Sequence, residues 1–241
     1  MLSNRKWVYL LEEGFATLPV IREFVDLSLP VKSLNSQGMF PGLPQPIRTT
    51  YWTHDEGPLT YLWTLVDHTG THLDASSHFH KDGVTVDQLP ISRCAGYGVV
   101  LDFSNRPARY SIGREDVVEA LEATGKIGTV GAGWVLLFYT GYTSKANTPE
   151  WLDYPALNEE ACNYIAEMKV NALGFDAPSP DRDPYPAHRI LLPKGIVNYE
   201  NLTNLDKLLS REFIFIGEPL RLVASTGSPV RAIAIVLETP R

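Results

Sequence analysis

Only two cysteines, Cys94 and Cys162, occur in 241 residues. They share no short metal-type spacing and cannot form a framework of staples, which points to a reduced, intracellular setting. No run approaches the roughly 18 apolar residues of a membrane span. The apolar run Trp7 to Leu11 is closed by Glu12 and Glu13 and is too short for a signal-peptide core. Lys and Arg form no cluster and the net charge is -7, which argues against a nucleic-acid or anionic-membrane partner. Gly128, Gly131 and Gly133 do not complete Gly-x-Gly-x-x-Gly, because Leu136 follows, and Gly141 begins no phosphate loop. Nor is there a Gly-x-Ser-x-Gly elbow, so serine-hydrolase chemistry drops out. These absences describe a soluble, cytoplasmic protein whose chemistry must come from elsewhere.

Apolar residues at 44% and charged residues at 20% are ordinary for a globular chain, and the length suits one sizeable domain. Residues 1–22 read as an N-terminal extension, helical around Trp7 to Phe15, and 23–241 as the domain. Phe24 to Leu29 reads as the first strand. Five prolines between residues 30 and 60 predict loop, and a loop this long often serves as a lid. Buried strands are predicted at Tyr97–Phe103, Gly133–Thr140 and Ala172–Asp176. Helices are predicted at Arg114–Glu122 and Asn158–Met168, the latter with Asn158 as N-cap. Residues 177–187, with four prolines, predict another loop. Leu202–Leu209 reads as a short helix, and Phe213–Ile216 and Val230–Leu237 as strands. Strands alternating irregularly with few helices make a mixed α/β domain, richer in sheet than a doubly wound fold.

Six histidines occur, four of them between positions 68 and 80. In extended chain, His68, His72 and Asp74 fall on one side, because side chains alternate along a strand. Thr69, Gly70 and Thr71 are poor helix residues, and Gly70 marks a tight turn. Two imidazoles and a carboxylate suit Zn2+ or Mn2+. Three protein ligands leave a position for water, the mark of a catalytic site. The spacing differs from the His-Glu-x-x-His helix of metalloproteases.

The run His68-Thr-Gly-Thr-His72-Leu-Asp74-Ala-Ser-Ser-His78-Phe79 resembles the signature of the cyclase-like metal hydrolases. That family includes bacterial kynurenine formamidases, isatin hydrolases and trans-dienelactone hydrolases. The resemblance extends through Gly174–Asp181, His188–Leu192, Val197–Leu202 and Thr226–Arg231, in the family's order. It implies a single-domain swivelling β/β/α fold with a mixed sheet. It also implies metal held by His68, His72 and Asp74, with His78 as general acid/base. For members with two ions it adds His188 and Glu200 as ligands. Assembly as a homodimer or homotetramer follows from the same resemblance, with residues 1–22 available to an interface.

The implied reaction is hydrolysis of an aryl amide, arylformamidase-like, with opening of a cyclic amide or lactone as the alternative. A non-catalytic metal-binding oligomer is the contrasting class. The substrate would be a small aromatic molecule, in a pocket with Phe40, Trp63 and Phe79 as candidate walls. Two departures stand out. Ser76 replaces the proline of the usual Asp-Ala-Pro. Phe40-Pro-Gly-Leu43 replaces a Trp-Pro-Gly-Asp segment, losing both the indole and the acid.

Overall fold

The hydrophobic runs fold as strands buried on both faces. The computed structural model describes residues 20–238. In chain order it contains β1 (Val20–Asp26), β2 (Ile47–Trp52), β3 (Thr60–Thr64), β4 (His72–Asp74), β5 (Ala95–Asp102) and β6 (Ser111–Ile112). After α1 (Arg114–Ala123) come β7 (Trp134–Tyr139), β8 (Ala156–Leu157), α2 (Glu159–Met168) and β9 (Ala172–Phe175). The last third holds α3 (Pro186–Ile190), β10 (Val197–Glu200), β11 (Phe213–Ile216), β12 (Gly227–Pro229) and β13 (Ile233–Glu238).

Nine strands form one mixed sheet in the order β1-β13-β11-β5-β7-β9-β10-β4-β12. The centre, β5-β7-β9-β10, is parallel and its neighbours run antiparallel. Side chains alternate across it as the pleat requires. Leu101, Leu136, Phe138, Leu173 and Phe175 pack under α1 and α2 on one face. Val100, Val135, Leu137, Tyr199 and Phe215 form the second core on the other. Each such side chain contributes about 1.5–3 kcal/mol of burial. Val117 and Leu121 anchor α1 in the first core. Asn158 caps α2 by accepting from the Ala161 N–H, as predicted.

Several expectations need correction. The first strand begins at Val20, so residues 20–22 join the sheet rather than an extension. The helix expected around Trp7 to Phe15 lies outside the described residues. Within the expected 30–60 loop, β2 pairs with β3 in a separate hairpin, because no proline falls between Pro46 and Pro58 and a β-branched, aromatic run fills that gap, leaving Pro58 in the connection between the strands. The helix expected at Leu202–Leu209 is a single tight turn, Leu205–Leu208. The last strand starts at Ile233 rather than Val230. The short strands β10 and β12 were not predicted, being too brief to show a period.

Candidate metal centre

The strand β4 is only three residues long, yet it decides the site. Its alternation sends Leu73 into the second core and turns His72 and Asp74 to the opposite face. Pairing with β10 sets Glu200 directly opposite His72, and pairing with β12 sets Gly227 opposite Asp74. His68 reaches the same place through a turn, where Gly70 adopts φ +61°. A Cβ at Gly227 would lie 2.5 Å from the His68 ring, so only glycine leaves the imidazole room. His188 arrives on α3, which covers this face.

The polar atoms converge. His68 Nδ1 lies 2.7 Å and His72 Nε2 3.4 Å from Asp74 Oδ1, and His188 Nε2 lies 3.4 Å from Asp74 Oδ2. Glu200 sits between the two later rings, 3.4 Å from His72 Nε2 and 3.6 Å from His188 Nε2. The structure therefore brings together all five residues named from the sequence as candidate ligands.

Each imidazole is fixed from behind. The Gly70 carbonyl, which can only accept, takes the His72 Nδ1–H at 2.9 Å. Asp181 takes the His188 Nδ1–H at 2.8 Å and its backbone N–H at 3.0 Å. The Thr226 hydroxyl donates to Asp67 at 3.0 Å and so accepts from His68 Nε2–H, also at 3.0 Å. These partners assign the tautomers and leave all three remaining ring nitrogens with lone pairs facing the carboxylates. Asp74 is 1% exposed, and neither of its oxygens has a hydrogen-bond partner. Lone pairs gathered around two buried carboxylates repel unless a cation lies among them. The donor set of imidazole nitrogens and carboxylate oxygens fits a divalent metal ion.

Without a cation, protons must supply the positive charge. Burial disfavours a charged His72, but the Asp74 and Glu200 carboxylates outweigh it and hold the ring up at about 9. His188 is likewise held well above its ordinary value against its burial, by Asp181, Asp74 and Glu200. Burial and the Asp74 charge push the Glu200 carboxyl up.

His78 ends the tight turn Ser76–His78 that follows β4, and its ring centroid lies 4.1 Å from that of His68. Partial desolvation and the neighbouring histidines lower it to about 4, with Asp74 opposing. Its nitrogen is also close enough to His68 and Asp74 to join a ligand group. Ser76, in place of proline, secures this turn, its hydroxyl accepting from the Val84 N–H at 2.7 Å.

The centre opens into a cavity of about 370 Å3 walled by Phe40, Leu43, Phe79 and Tyr185. Phe79 stacks on the His188 ring at 4.3 Å. Trp63 is not brought to this cavity; it stands on β3, with the Arg48 guanidinium 6.0 Å over its ring. Clefts of 440 and 800 Å3 elsewhere contain no histidine, so the ligand set singles out the smaller cavity. Sequence reasoning gave no role to Asp67, Asp181 or Thr226; the resemblance covered the blocks holding Asp181 and Thr226, but nothing in their spacing pairs either with a particular histidine. Asp181 had one usable signal, an acid beside prolines shortly before His188.

The Cyclase family model, described as "Putative cyclase", matches residues 25–182. A kynurenine formamidase of Bacillus mycoides is 31% identical over 218 residues, spanning 88% of this chain and 96% of its own length. An isatin hydrolase of Roseibium aggregatum is 31% identical over 206 residues, spanning 75% of this chain and 77% of its own. Among solved structures, isatin hydrolase A from Labrenzia aggregata, bound to benzyl benzoate, superposes with a TM-score of 0.77 at 25% identity. That match covers 90% of this chain and 94% of the other.

Proposed function

The chain belongs to the cyclase family of metal-dependent hydrolases, and from that premise we propose that it cleaves the C–N bond of a small aryl amide in the manner of an arylformamidase. The observation that carries this reading is the convergence of three imidazoles, each hydrogen-bonded from behind, on the two buried oxygens of Asp74. His68, His72 and Asp74 would hold a Zn2+ or Mn2+ ion, and His188 and Glu200, with Asp74 shared, a second. A bound divalent ion supplies Lewis acidity, lowering the pKa of water toward about 7 and drawing charge from a carbonyl oxygen.

The chain's own residues do the rest. Phe40, Phe79 and Tyr185 flank an aromatic ring and exclude water from the scissile bond. His78 borders the cavity and is neutral at pH 7, so it accepts the proton of the attacking water and passes it to the leaving nitrogen. Asp181 and Thr226 keep His188 and His68 in the ligating tautomer.

A second reading, opening of a cyclic amide or lactone, is favoured by the cavity rim. Phe40, Pro41 and Leu43 are apolar and offer no charge to an amino-acid head group. Both substrates are small aromatic molecules. No helix among the described residues is long and apolar enough to cross a membrane. The proposal includes a cytoplasmic setting and a homodimer or homotetramer.

Elemental analysis of wild type and His72→Ala, beside product analysis on N-formylkynurenine and isatin, tests the reading. We expect stoichiometric Zn or Mn in wild type, lost in His72→Ala together with turnover. His78→Ala should keep the metal and lose about 100-fold or more in kcat, the range of general acid–base catalysis. No metal in wild type after reconstitution would overturn the proposal, and full activity in His78→Ala would remove that residue's role.

A further inference from the structure

The cavity beside the metal centre has few hydrogen-bond donors left for a substrate. Among the described residues that line it, none is Lys or Arg. Ser179 gives its hydroxyl proton to Asp181 Oδ1 at 3.3 Å. The Asn201 amide donates to the Gly38 carbonyl at 3.3 Å and to the Gly70 carbonyl at 3.1 Å. His78 is occupied by the proton transfer described above. The Tyr185 hydroxyl remains, on a half-buried side chain of the wall, with no hydrogen bond to another described residue.

Tyr185 stands there against its backbone preference. Its φ of 60° and ψ of 56° lie in the left-handed region, where a bulky side chain is an outlier. The turn into α3 enforces this conformation. The Tyr185 N–H donates to the Arg182 carbonyl at 2.7 Å, and its own carbonyl accepts from the Arg189 N–H at 3.0 Å. Glycine or asparagine would adopt the same turn more easily, so the turn gives no reason for a tyrosine. The ring does. Its centroid lies 5.3 Å from that of Phe79 and 6.1 Å, edge-on, from that of His188. Backbone strain of this kind clusters where a ligand is clamped.

We propose that Tyr185 is a specificity-determining residue whose hydroxyl donates to one neutral acceptor oxygen carried on the aromatic ring of the substrate. The cavity then selects rings with a carbonyl or ether substituent over bare rings. It also selects them over carboxylate-bearing rings. A carboxylate on the outer part of the ring would lose its water against Phe40, Pro41 and Leu43, with no cation to meet it. Asp74 and Glu200 already offset the charge of a bound divalent ion. The choice of substrates below rests on the aryl-amide reading, whereas binding reads Tyr185 separately from it.

The test uses metal-loaded wild type, Tyr185→Phe and Leu43→Lys, with metal per chain measured to show that each variant keeps the centre. The substrates are formanilide, its ortho, meta and para acetyl derivatives, and the formamidobenzoates matched to them in position. Dissociation constants of the corresponding amines (aniline, the aminoacetophenones and the aminobenzoates) are read by ligand-observed NMR, independently of turnover. Wild type should prefer at least one acetyl ring to its matched carboxylate by about tenfold or more. Tyr185→Phe should cut the preference for that acetyl ring over the bare ring about 3- to 10-fold, the scale of one neutral hydrogen bond. The change should fall in KM and Kd rather than in kcat. Leu43→Lys, which supplies the missing cation, should narrow the acetyl-over-carboxylate preference. Equal weakening of every ring by Tyr185→Phe would make Tyr185 a wall alone and overturn the proposal. A wild type that favours carboxylates, or an unchanged preference in Leu43→Lys, would overturn the selection against charge. No turnover of any formanilide would overturn the aryl-amide reading, and the amine binding ratios would still decide the role of Tyr185.

Discussion

Along β5, β7 and β9 the buried side chains are apolar, Val100, Leu101, Val135, Leu136, Phe138 and Phe175 among them, whereas β4 and β10 bury His72, Asp74, Asn198 and Glu200 on the face opposite Leu73, Val197 and Tyr199. The two halves belong to one sheet and are equally withdrawn from water. The apolar half is complete in itself, with facing rings such as Phe138 and Phe175 stacked 4.5 Å apart. The polar half is not. Both oxygens of Asp74 and both amide atoms of Asn198, its cross-strand neighbour, are buried without a hydrogen-bond partner. Burial stabilises apolar groups unaided but penalises polar ones until something satisfies them. The polar half therefore keeps an unmet need, and an unmet need for positive charge is what a metal site consists of.

The comparison is broken most severely from the apolar side. Phe138→Ala should cost about 3–5 kcal/mol of stability by leaving a cavity in the core, with metal stoichiometry unchanged in the protein that folds. Chemical denaturation with and without chelator measures this. A loss of metal in proportion to the lost stability would mean that the halves are one unit.

A smaller effect is expected from Asp181→Asn, which keeps the shape and removes the charge that orients His188. Metal affinity should fall about 10–100-fold, the range for such supporting partners, while denaturant midpoints of the metal-free protein move little. Chelator competition reads the affinity. An unchanged affinity would reduce Asp181 to a structural tie for α3.

The mildest perturbation is pH. His72 at about 9 must shed its proton before its Nε2 can ligate, so metal affinity should climb with pH from about 6 to 9, roughly tenfold per unit for each proton released. The metal-free protein should behave oppositely. A His72 pKa raised above the unfolded value of 6.5 contributes stability that is present below about 6.5 and lost as pH rises through 9. Melting temperatures of loaded and chelated protein should therefore diverge with rising pH, and parallel curves would refute the assigned tautomers.

The helices and central strands were legible because hydrophobic periodicity is a local property. Val117 and Leu121 point α1 inward wherever it docks, and Asn158 caps α2 from within its own segment. The hairpin β2–β3 was hidden by the surrounding prolines. The brief strands β10 and β12 were hidden by length.

Within the site the same boundary applies. The spacing of His68, His72 and Asp74 was enough to place three polar groups on one side of an extended chain, because alternation along a strand follows from backbone geometry alone. The run His68 to Phe79 also carried the family resemblance that pointed to metal hydrolysis. No periodicity could say that Glu200 lies opposite His72, that Gly227 makes room for the His68 ring, or that Asp181 and Thr226 stand behind the imidazoles. Those facts are matters of strand register and loop closure between distant parts of the chain. Register is decided only when both faces of the sheet are packed and every buried group has found its neighbour.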